Sequence, residues 1–412
     1  MLNSNILPDT VGQELMRRLD AIAEISEPGP GVTRRPFTAE HRRAAAMIED
    51  WMTRAGMTVR TDAAGTIVGR REGPPNARTL LVGSHQDTIR SGGKYDGMFG
   101  IALPIIVLEC LKDADLPCSV EVLAFADEEG VRFPTALMGP RTLAGTFNKA
   151  DLAGKDKDGI VLADALKEFG GDPENLSANR RNPSDLMGYA EVHIEQGPVL
   201  ESKGLPVGVV TAICGIERWT IEIGGQAAHA GTTPMELRRD ALAGAAEIAL
   251  SIESYCRSVD GLVGVVGAMT VTPNVPNAIP GSARFTMELR AAQDAVREEA
   301  AGLLTAKARR VASERGLTIE LNKTYAQKAV PCDATLSDRL ADALTDSGYE
   351  PFRLMSGATH DASAMSDLCP VAMLFTRCTN GLSHHPAEAI TIEDAQATAE
   401  CFAHFLMSAD AD

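Results

Sequence analysis

The 412-residue sequence lacks the segments that mark membrane and secreted proteins. No run approaches about 18 consecutive apolar residues, and residues 1–24 show no basic leader followed by an apolar core. The eight cysteines are scattered without a C-x-x-C pair, which argues against both a zinc ribbon and a disulfide scaffold. We therefore expect a cytoplasmic protein with reduced thiols.

Positive charge is also scarce. The chain has 39 Lys and Arg against 56 Asp and Glu, a formal net charge of -17. Nucleic acids and anionic membranes bind basic surfaces, so this balance argues against both as partners. An acidic chain is suited to binding cations, although solubility alone explains the acidity equally well.

The length exceeds what one hydrophobic core usually organises, so we expect two domains. Thr38 is the predicted N-cap of a helix, and Pro104 is a predicted kink in another. The patterns up to residue 126 predict helices at about 10–25, 39–55 and 97–112, a hairpin at 57–70, and strands at 79–83 and 119–126. This order implies an α/β domain with a mostly parallel sheet covered by helices.

The pattern changes near residue 212. The elements predicted from there are a strand at 216–225, a helix at 238–256, strands at 262–271 and 282–290, a helix at 293–315 and a strand at 318–325. This β-α-β-β-α-β order is that of a ferredoxin-like unit. We therefore predict a catalytic domain formed by 1–211 and 326–412, into which 212–325 are inserted as an α+β domain. The catalytic domain resumes with a helix at about 334–347, a strand at 371–377 and a helix at 391–407, whereas 151–190 shows no clear pattern.

Imidazoles and carboxylates stand at the ends of three predicted strands: His85, the pair Glu128 and Glu129, and His193 in VHIEQG. In α/β sheets, ligands collect beyond the carboxyl ends of the strands. A single histidine there is usually structural, but here several coincide. With Asp96 and the SHHP stretch at 383–386, they provide the nitrogen and oxygen ligands that zinc, manganese and cobalt accept. A carboxylate shared between two ions would satisfy a two-metal centre.

The stretch GSHQDTIRSGGKYDG surrounds two of these ligands with glycines. Gly92, Gly93 and Gly97 would let the backbone bend tightly near the site. Asp87, two residues after His85, is predicted to orient that imidazole through a hydrogen bond. The alternative for this glycine-rich loop alone is a plain turn.

Glu128 and Glu129 need two roles, because adjacent side chains point in different directions. One can bind a metal while the other acts as general base. A solvated acidic loop would be the ordinary explanation for such a pair, but its position directly after a buried strand favours catalysis.

At these residues the sequence resembles the hydantoinase/carbamoylase branch of the M20 metallopeptidase-like amidohydrolases. The matching stretches span about 83–388 in family order: GSHQDTIRSGGKYDG, FADEEGVRF, HIEQGPVLE, GQAAHAGTTPMELRRDA, PNAIPGSARFTMELR, SGATHDA and GLSHHPAE. HIEQG discriminates best, because peptidase relatives typically carry a carboxylate where His193 stands. One departure is Thr359, which replaces the second glycine of the common SGAGHDA and leaves the substrate open.

The resemblance implies two divalent ions per subunit, Zn²⁺, Mn²⁺ or Co²⁺. One would be bound by His85, Asp96 and His193, and the other by Asp96, Glu129 and His384, with Glu128 as general base. It also implies a set of substrate-binding residues: Gln196, His229, Asn277, Arg290, Gly357 and Ala358. Physically, Arg290 offers a planar fork for a carboxylate, and His229 can donate to an oxyanion.

The implied reaction is cleavage of the terminal ureido C–N bond of an N-carbamoyl-L-amino acid, with release of ammonia and carbon dioxide. Allantoate is the second candidate substrate, and N-carbamoyl-β-alanine and ureidoglycolate follow. The alternatives are an M20-type peptidase or N-deacylase, and a metal-free binding protein that kept the fold. The resemblance further implies that the inserted domain is a lid and the interface of a homodimer, with His229 acting on the neighbouring subunit's site. His41 and His404, outside all motifs, are predicted to be structural.

Overall fold

The computed structural model describes residues 6–408, which form two compact units. The first unit contains 6–211, 332–354 and 358–408, and the second contains 212–331 with 355–357. The second unit thus extends beyond the predicted boundary at 325, because the strand that crosses this position ends only at residue 327.

Eleven α-helices lie in the described residues: α1 (Val11–Ala23), α2 (Ala39–Arg54), α3 (Met98–Cys110), α4 (Met138–Ala144), α5 (Leu162–Phe169), α6 (Val199–Lys203), α7 (Ala241–Ser258), α8 (Asp294–Glu314), α9 (Ala334–Asp346), α10 (Asp361–Met365) and α11 (Ile392–Met407). Thr38 caps α2 as predicted, its side chain accepting a hydrogen bond from the His41 amide. Pro104 lies inside α3. Within 6–408, no helix is both long and apolar enough to cross a membrane.

Sixteen strands complete the regular structure of the same residues: β1 (Thr58–Thr61), β2 (Ile67–Arg71), β3 (Thr79–His85), β4 (Ser119–Phe125), β5 (Leu186–Ile194), β6 (Val207–Ile213), β7 (Gly215–Gly224), β8 (Ala228–His229), β9 (Leu262–Val265), β10 (Met269–Thr272), β11 (Ala278–Ile279), β12 (Ser282–Ala291), β13 (Thr318–Gln327), β14 (Val330–Pro331), β15 (Arg353–Ser356) and β16 (Val371–Thr376). Short 3₁₀ helices lie at Lys149–Ala153, Leu176–Asn179, Pro183–Asp185, Met235–Leu237 and Thr379–Gly381.

The large sheet has the order β1-β2-β4-β3-β5-β16-β6-β14, with β15 also paired to β6. Its centre, β4-β3-β5-β16, is parallel. The strands on either side are antiparallel. The prediction of a mostly parallel sheet was therefore wrong in that the sheet is mixed. The hairpin β1-β2 adds antiparallel strands at one edge, as is common in α/β proteins.

Every residue of β3 and β4 is buried, so both faces of the central sheet are covered. The helices α1 and α9 pack on α11, α1 and α11 pack on α3, and α3, α9 and α11 contact the central strands. Met98–Leu108 of α3 is buried on all sides, as expected for a helix that is apolar around its whole circumference. The first turn of α3 is thereby fixed against the end of β3, where the candidate site lies.

The second unit has the observed order β7-α7-β9-β10-β12-α8-β13 around an antiparallel sheet with α7 and α8 packed together. The strand predicted at 262–271 is two strands, β9 and β10, both paired with β12. The interruption falls where the Thr286 side chain, instead of the main chain, accepts the Ala268 amide. The segment predicted to be unpatterned, 151–190, contains α5 and the start of β5.

Candidate metal and catalytic site

The candidate metal ligands of the first unit stand at the carboxyl ends of neighbouring parallel strands. His85 is the last residue of β3, His193 is the penultimate residue of β5, and Glu128 and Glu129 follow β4. Because β4, β3 and β5 are adjacent and parallel, these ends lie at one edge of the sheet. The loop between β3 and α3 brings Asp96 to the same edge.

Asp96 is at the centre of the cluster. Its Oδ1 lies 3.2 Å from Nε2 of His193 and 3.6 Å from Nε2 of His85. Its Oδ2 lies 3.2 Å from Nε2 of His384, which is 3.8 Å from Oε1 of Glu129. Two ligands held at about 2.1 Å from one ion in tetrahedral geometry are about 3.4 Å apart, so these separations fit shared cations. The five residues thus divide into two sets that share Asp96.

The tautomers of two imidazoles also fit a cation. Nδ1 of His85 is 2.9 Å from the carbonyl oxygen of Asp87, and Nδ1 of His193 is 2.9 Å from that of Ile194. A carbonyl oxygen only accepts, so each Nδ1 carries a proton, which leaves each Nε2 to bind a second proton or a metal ion. Both Nε2 atoms face the carboxylate of Asp96, a contact that needs a proton or a metal cation between the two atoms.

The buried carboxylates of the cluster also indicate a cation site. Although burial opposes its ionisation, the neighbouring imidazoles hold the pKa of Asp96 well below its usual range. Burial and the charge of Asp96 raise the pKa of Glu129 to about 7. Oε1 of Glu129 is buried without a hydrogen-bond partner in the described residues. A group of acids this deeply buried is stable only with compensating cations or protons.

The glycines of the loop allow close approach of the backbone to the ligands, as predicted. Gly97 has φ +66°, and a Cβ there would lie 2.5 Å from the His85 ring. A Cβ at Gly93 would lie 2.1 Å from a carboxylate oxygen of Glu388. Larger side chains at either position would therefore displace the site.

Asp87 hydrogen-bonds to His85, as predicted, but through its main chain and not through its carboxylate. Its carboxylate oxygen is 3.7 Å from Nδ1 of His85, beyond hydrogen-bonding distance, and its backbone carbonyl orients that ring instead. The carboxylate accepts the amides of Glu128 and Glu129 at 3.1 and 3.2 Å. Asp87 therefore fixes the loop that carries these two acids, because two amides in succession offer a better-aligned pair of donors than one imidazole.

Glu388 was not predicted as a site residue, although it is the glutamate of GLSHHPAE. Its Oε1 accepts the amides of Tyr95 and Asp96 at 2.9 and 3.1 Å, and its Oε2 accepts the Ser383 hydroxyl at 2.9 Å. Gln196 donates from Nε2 to Asp96 at 3.1 Å and to Ser383 at 3.0 Å. The motif itself was the signal that could have identified Glu388, since it stands four residues after His384.

Glu191 and His360 lie beside His193 and form a second cluster with it. The ring of His360 meets that of His193 edge-on, with centroids 4.5 Å apart. Glu191 accepts the Ser84 hydroxyl at 2.7 Å and the Ala362 amide at 2.9 Å. Sequence patterns missed this support, because Glu191 reads as an ordinary residue within a strand.

Four of the predicted substrate-binding residues lie in the second unit: His229, Asn277, Arg290 and Gly357. His229 is exposed in the two-stranded ribbon of β8 and β11, and the amide of Ala230 donates to the carbonyl of Asn277 at 3.0 Å. Arg290 donates from Nε and Nη2 to Glu288 at 2.8 and 2.6 Å, and from Nη1 to the carbonyl of Gly357. Ala358, the next residue, begins the last segment of the first unit.

The model of peptidase family M20/M25/M40 matches residues 78–408. The chain belongs to this family. The resemblance inferred from the motifs is thereby confirmed, and the M20 chain is a metal-dependent amidohydrolase that acts on a C–N bond.

Two curated relatives and one solved structure place the M20 chain more narrowly. It is 40% identical to an N-carbamoyl-L-amino acid amidohydrolase of Geobacillus stearothermophilus, over 95% of this chain and 97% of that one. It is 37% identical to an allantoate deiminase of Arabidopsis thaliana, over 96% and 82%. The crystal structure of an amidase of the hydantoinase/carbamoylase family from Burkholderia multivorans matches with a TM-score of 0.91 at 33% identity, over 96% and 97%.

Proposed function

We propose that the protein hydrolyses the terminal ureido C–N bond of an N-carbamoyl-L-amino acid, releasing ammonia and carbon dioxide. The observation that carries the proposal is the position of Asp96, whose two carboxylate oxygens face the Nε2 atoms of three imidazoles. The similarity to the amidohydrolase of Geobacillus stearothermophilus supports the substrate class.

Two divalent ions, Zn²⁺, Mn²⁺ or Co²⁺, complete the site in this proposal. His85, Asp96 and His193 would bind one ion, and Asp96, Glu129 and His384 the other. When bound, such ions polarise the ureido carbonyl and lower the pKa of water.

Glu128 is the proposed general base. It stands beside His85 and Glu129. Burial, partly offset by His85, raises the pKa of its carboxyl group well above the usual value. Glu128 takes a proton from the attacking water and delivers it to the departing nitrogen, which leaves as ammonia. The carbamate that remains loses carbon dioxide to give the free amino acid.

Four residues are proposed to bind substrate through side chains. Oε1 of Gln196 is buried and has no hydrogen-bond partner in the described residues, so it can accept a ureido N–H. Arg290 binds the substrate carboxylate, and His229 donates a hydrogen bond to the oxyanion that forms on the ureido carbonyl. Asn277 also contacts the substrate. Gly357 and Ala358 contribute backbone contacts.

We further propose that the protein is a homodimer formed through the second unit, which also serves as a lid, with His229 acting on the partner's site. Of the large hydrophobic side chains exposed in residues 6–408, ten of fourteen lie within 212–331, among them Leu250 and Leu303. Such a concentration of exposed apolar side chains is typical of an interaction surface.

Allantoate is the second candidate substrate, favoured by the similarity to allantoate deiminase. Ammonia release from a panel of N-carbamoyl-L-amino acids, N-carbamoyl-β-alanine, allantoate and ureidoglycolate, with Mn²⁺, Co²⁺ or Zn²⁺ added, decides between them. We expect the highest kcat/KM for an N-carbamoyl-L-amino acid. Higher kcat/KM for allantoate would transfer the assignment, and hydrolysis of dipeptides alone would refute cleavage of ureido groups.

A further inference from the structure

Glu288 lies between two arginines on one face of the second unit's sheet. It is directly opposite Arg218 in the pairing of β12 with β7, and Arg290 follows two residues later on β12. Alternate residues of a strand share a face, so the three side chains lie side by side. Oε1 of Glu288 accepts Nε and Nη2 of Arg290, and Oε2 accepts Nε and Nη2 of Arg218.

These contacts determine how much of Arg290 is free. A guanidinium has five N–H groups. In Arg290, Glu288 takes one on Nε and one on Nη2, and the Gly357 carbonyl takes one on Nη1. One N–H on each terminal nitrogen remains, and the side chain is 31% exposed. Two donors held in this way suit a single carboxylate.

The net charge of Glu288, Arg218 and Arg290 follows from their protonation states. Burial opposes ionisation of Glu288, but the two arginines outweigh it and lower the pKa of its carboxyl group. One carboxylate and two guanidinium groups leave a net charge of about +1 at neutral pH. Because Glu288 contacts both arginines, the one excess positive charge is shared between Arg218, which is 45% exposed, and Arg290, which is 31% exposed.

We propose that Glu288 is a positioning residue for substrate recognition, which holds Arg290 in place and cancels one of the two guanidinium charges so that the site accepts one substrate carboxylate. The inference rests on the proposed function, because it requires that Arg290 bind the carboxylate of a ureido acid. It assigns the substrate class as monocarboxylates, and it gives Glu288 no contact with substrate.

The test compares N-carbamoyl-L-alanine with its uncharged carboxamide in Glu288→Gln. We expect KM for the carboxylate to rise roughly tenfold, with kcat and the kinetics of the carboxamide nearly unchanged. Glu222→Gln is the matched control, since Glu222 pairs with Arg284 across the same two strands at 3.3 Å. It should leave both substrates unaffected. An equal loss for the two substrates in Glu288→Gln, or no change in KM, would overturn the inference.

A double-mutant cycle shows whether Glu288 acts through Arg290. In the Arg290→Ala background, Glu288→Gln should raise KM no further, whereas additive effects would contradict the inference. Glu288→Asp keeps the negative charge, so its KM for the carboxylate should lie between those of the wild type and Glu288→Gln. This comparison holds even if Glu288→Gln folds poorly. A KM in Glu288→Asp as high as in Glu288→Gln would contradict a positioning role.

Inhibition by simple acids tests whether Glu288 sets the net charge beside Arg290. Glu288→Gln leaves two guanidinium groups without a counter-charge, so malonate should gain as an inhibitor relative to acetate. If the ratio of the inhibition constants of malonate and acetate is unchanged, the proposed role of Glu288 in setting the charge is refuted. If the wild-type holoenzyme releases no ammonia from any carbamoyl acid, the proposed function itself fails, whereas normal wild-type turnover with unaltered Glu288 variants rejects only this inference.

Discussion

At the scale of single residues, the two neighbouring glutamates after β4 differ in what they contact. Oε1 of Glu129 lies 3.8 Å from His384 and within the set around Asp96, whereas Glu128 belongs to a set with His85. Both backbone amides are fixed by Asp87, so the side chains diverge from one anchored segment. Adjacent acids can therefore serve as ligand and as base.

We predict that Glu128→Gln retains its metal and loses turnover. The amide cannot accept a proton, and removal of a general base costs about 10²- to 10⁴-fold in rate. Metal content by mass spectrometry and ammonia release measure the two properties. Glu129→Gln is the contrasting variant and should lose one ion. Turnover close to wild type in Glu128→Gln would disprove the assignment of the base.

The sequence indicated three of the candidate ligands, His85, Glu129 and His193, because they follow apolar strands, whereas Asp96 and His384 were assigned from the glycine-rich loop and from the family motifs. It did not identify the carboxylates that support them. Glu191 and Glu288 are ordinary alternating residues of a strand, and their importance comes from partners in distant segments. Asp87 does hydrogen-bond to His85, but through its main-chain carbonyl, and local spacing cannot tell which of its oxygens makes the contact.

At the scale of elements, α2 is joined to its surroundings by His41, which is fully buried. Its Nδ1 accepts the Phe37 amide at 2.8 Å, and its ring stacks on Phe169 of α5 at 4.6 Å. Burial, with help from Arg34, lowers the pKa of His41 to about 3. The expectation of a structural role was made from its position outside the motifs, and these contacts tie α2 to the turn before it.

This lowered pKa predicts how stability depends on pH. The folded pKa is about 3 against 6.5 for the ordinary imidazole, so the contribution is complete above 6.5 and is lost as pH falls towards 3. Between pH 7 and 5 the loss is about 2 kcal/mol. His41→Asn, whose amide oxygen can accept the same N–H, should remove this slope in urea unfolding. An identical decline in both proteins would contradict the prediction.

The helices and most strands were predictable where one period extended over many residues, as in α8 and β12. The central strands were recognised as apolar runs and β1-β2 as a hairpin, but β6 and β15 were not predicted. The antiparallel pairing of β6 with β16 is set by the approach of segments far apart in sequence. Periodicity carries no information on that approach, which is why the sheet was expected to be mostly parallel.

At the scale of the whole molecule, the proposed dimer with His229 acting in trans makes a specific prediction. Glu128→Gln and His229→Ala are each expected to be nearly inactive. When the two are mixed and their subunits exchange, half the dimers are hybrids with one intact site, so about a quarter of wild-type activity should return. Ammonia release after exchange in dilute denaturant measures this. No recovery from a mixture shown to contain hybrids would exclude action in trans.

The groups that form the candidate site are far apart in the sequence, and this has a consequence for how the site is assembled. The backbone around Asp96 is held by Glu388, 292 residues later in the chain. Until the segment that carries His384 and Glu388 has been synthesised, a growing polypeptide lacks both a proposed ligand of the second ion and the carboxylate that fixes Asp96. Synthesis at about 5–20 residues per second separates the two segments by roughly 15–60 s, and a fragment that ends before His384 would be unable to form the second proposed ion site.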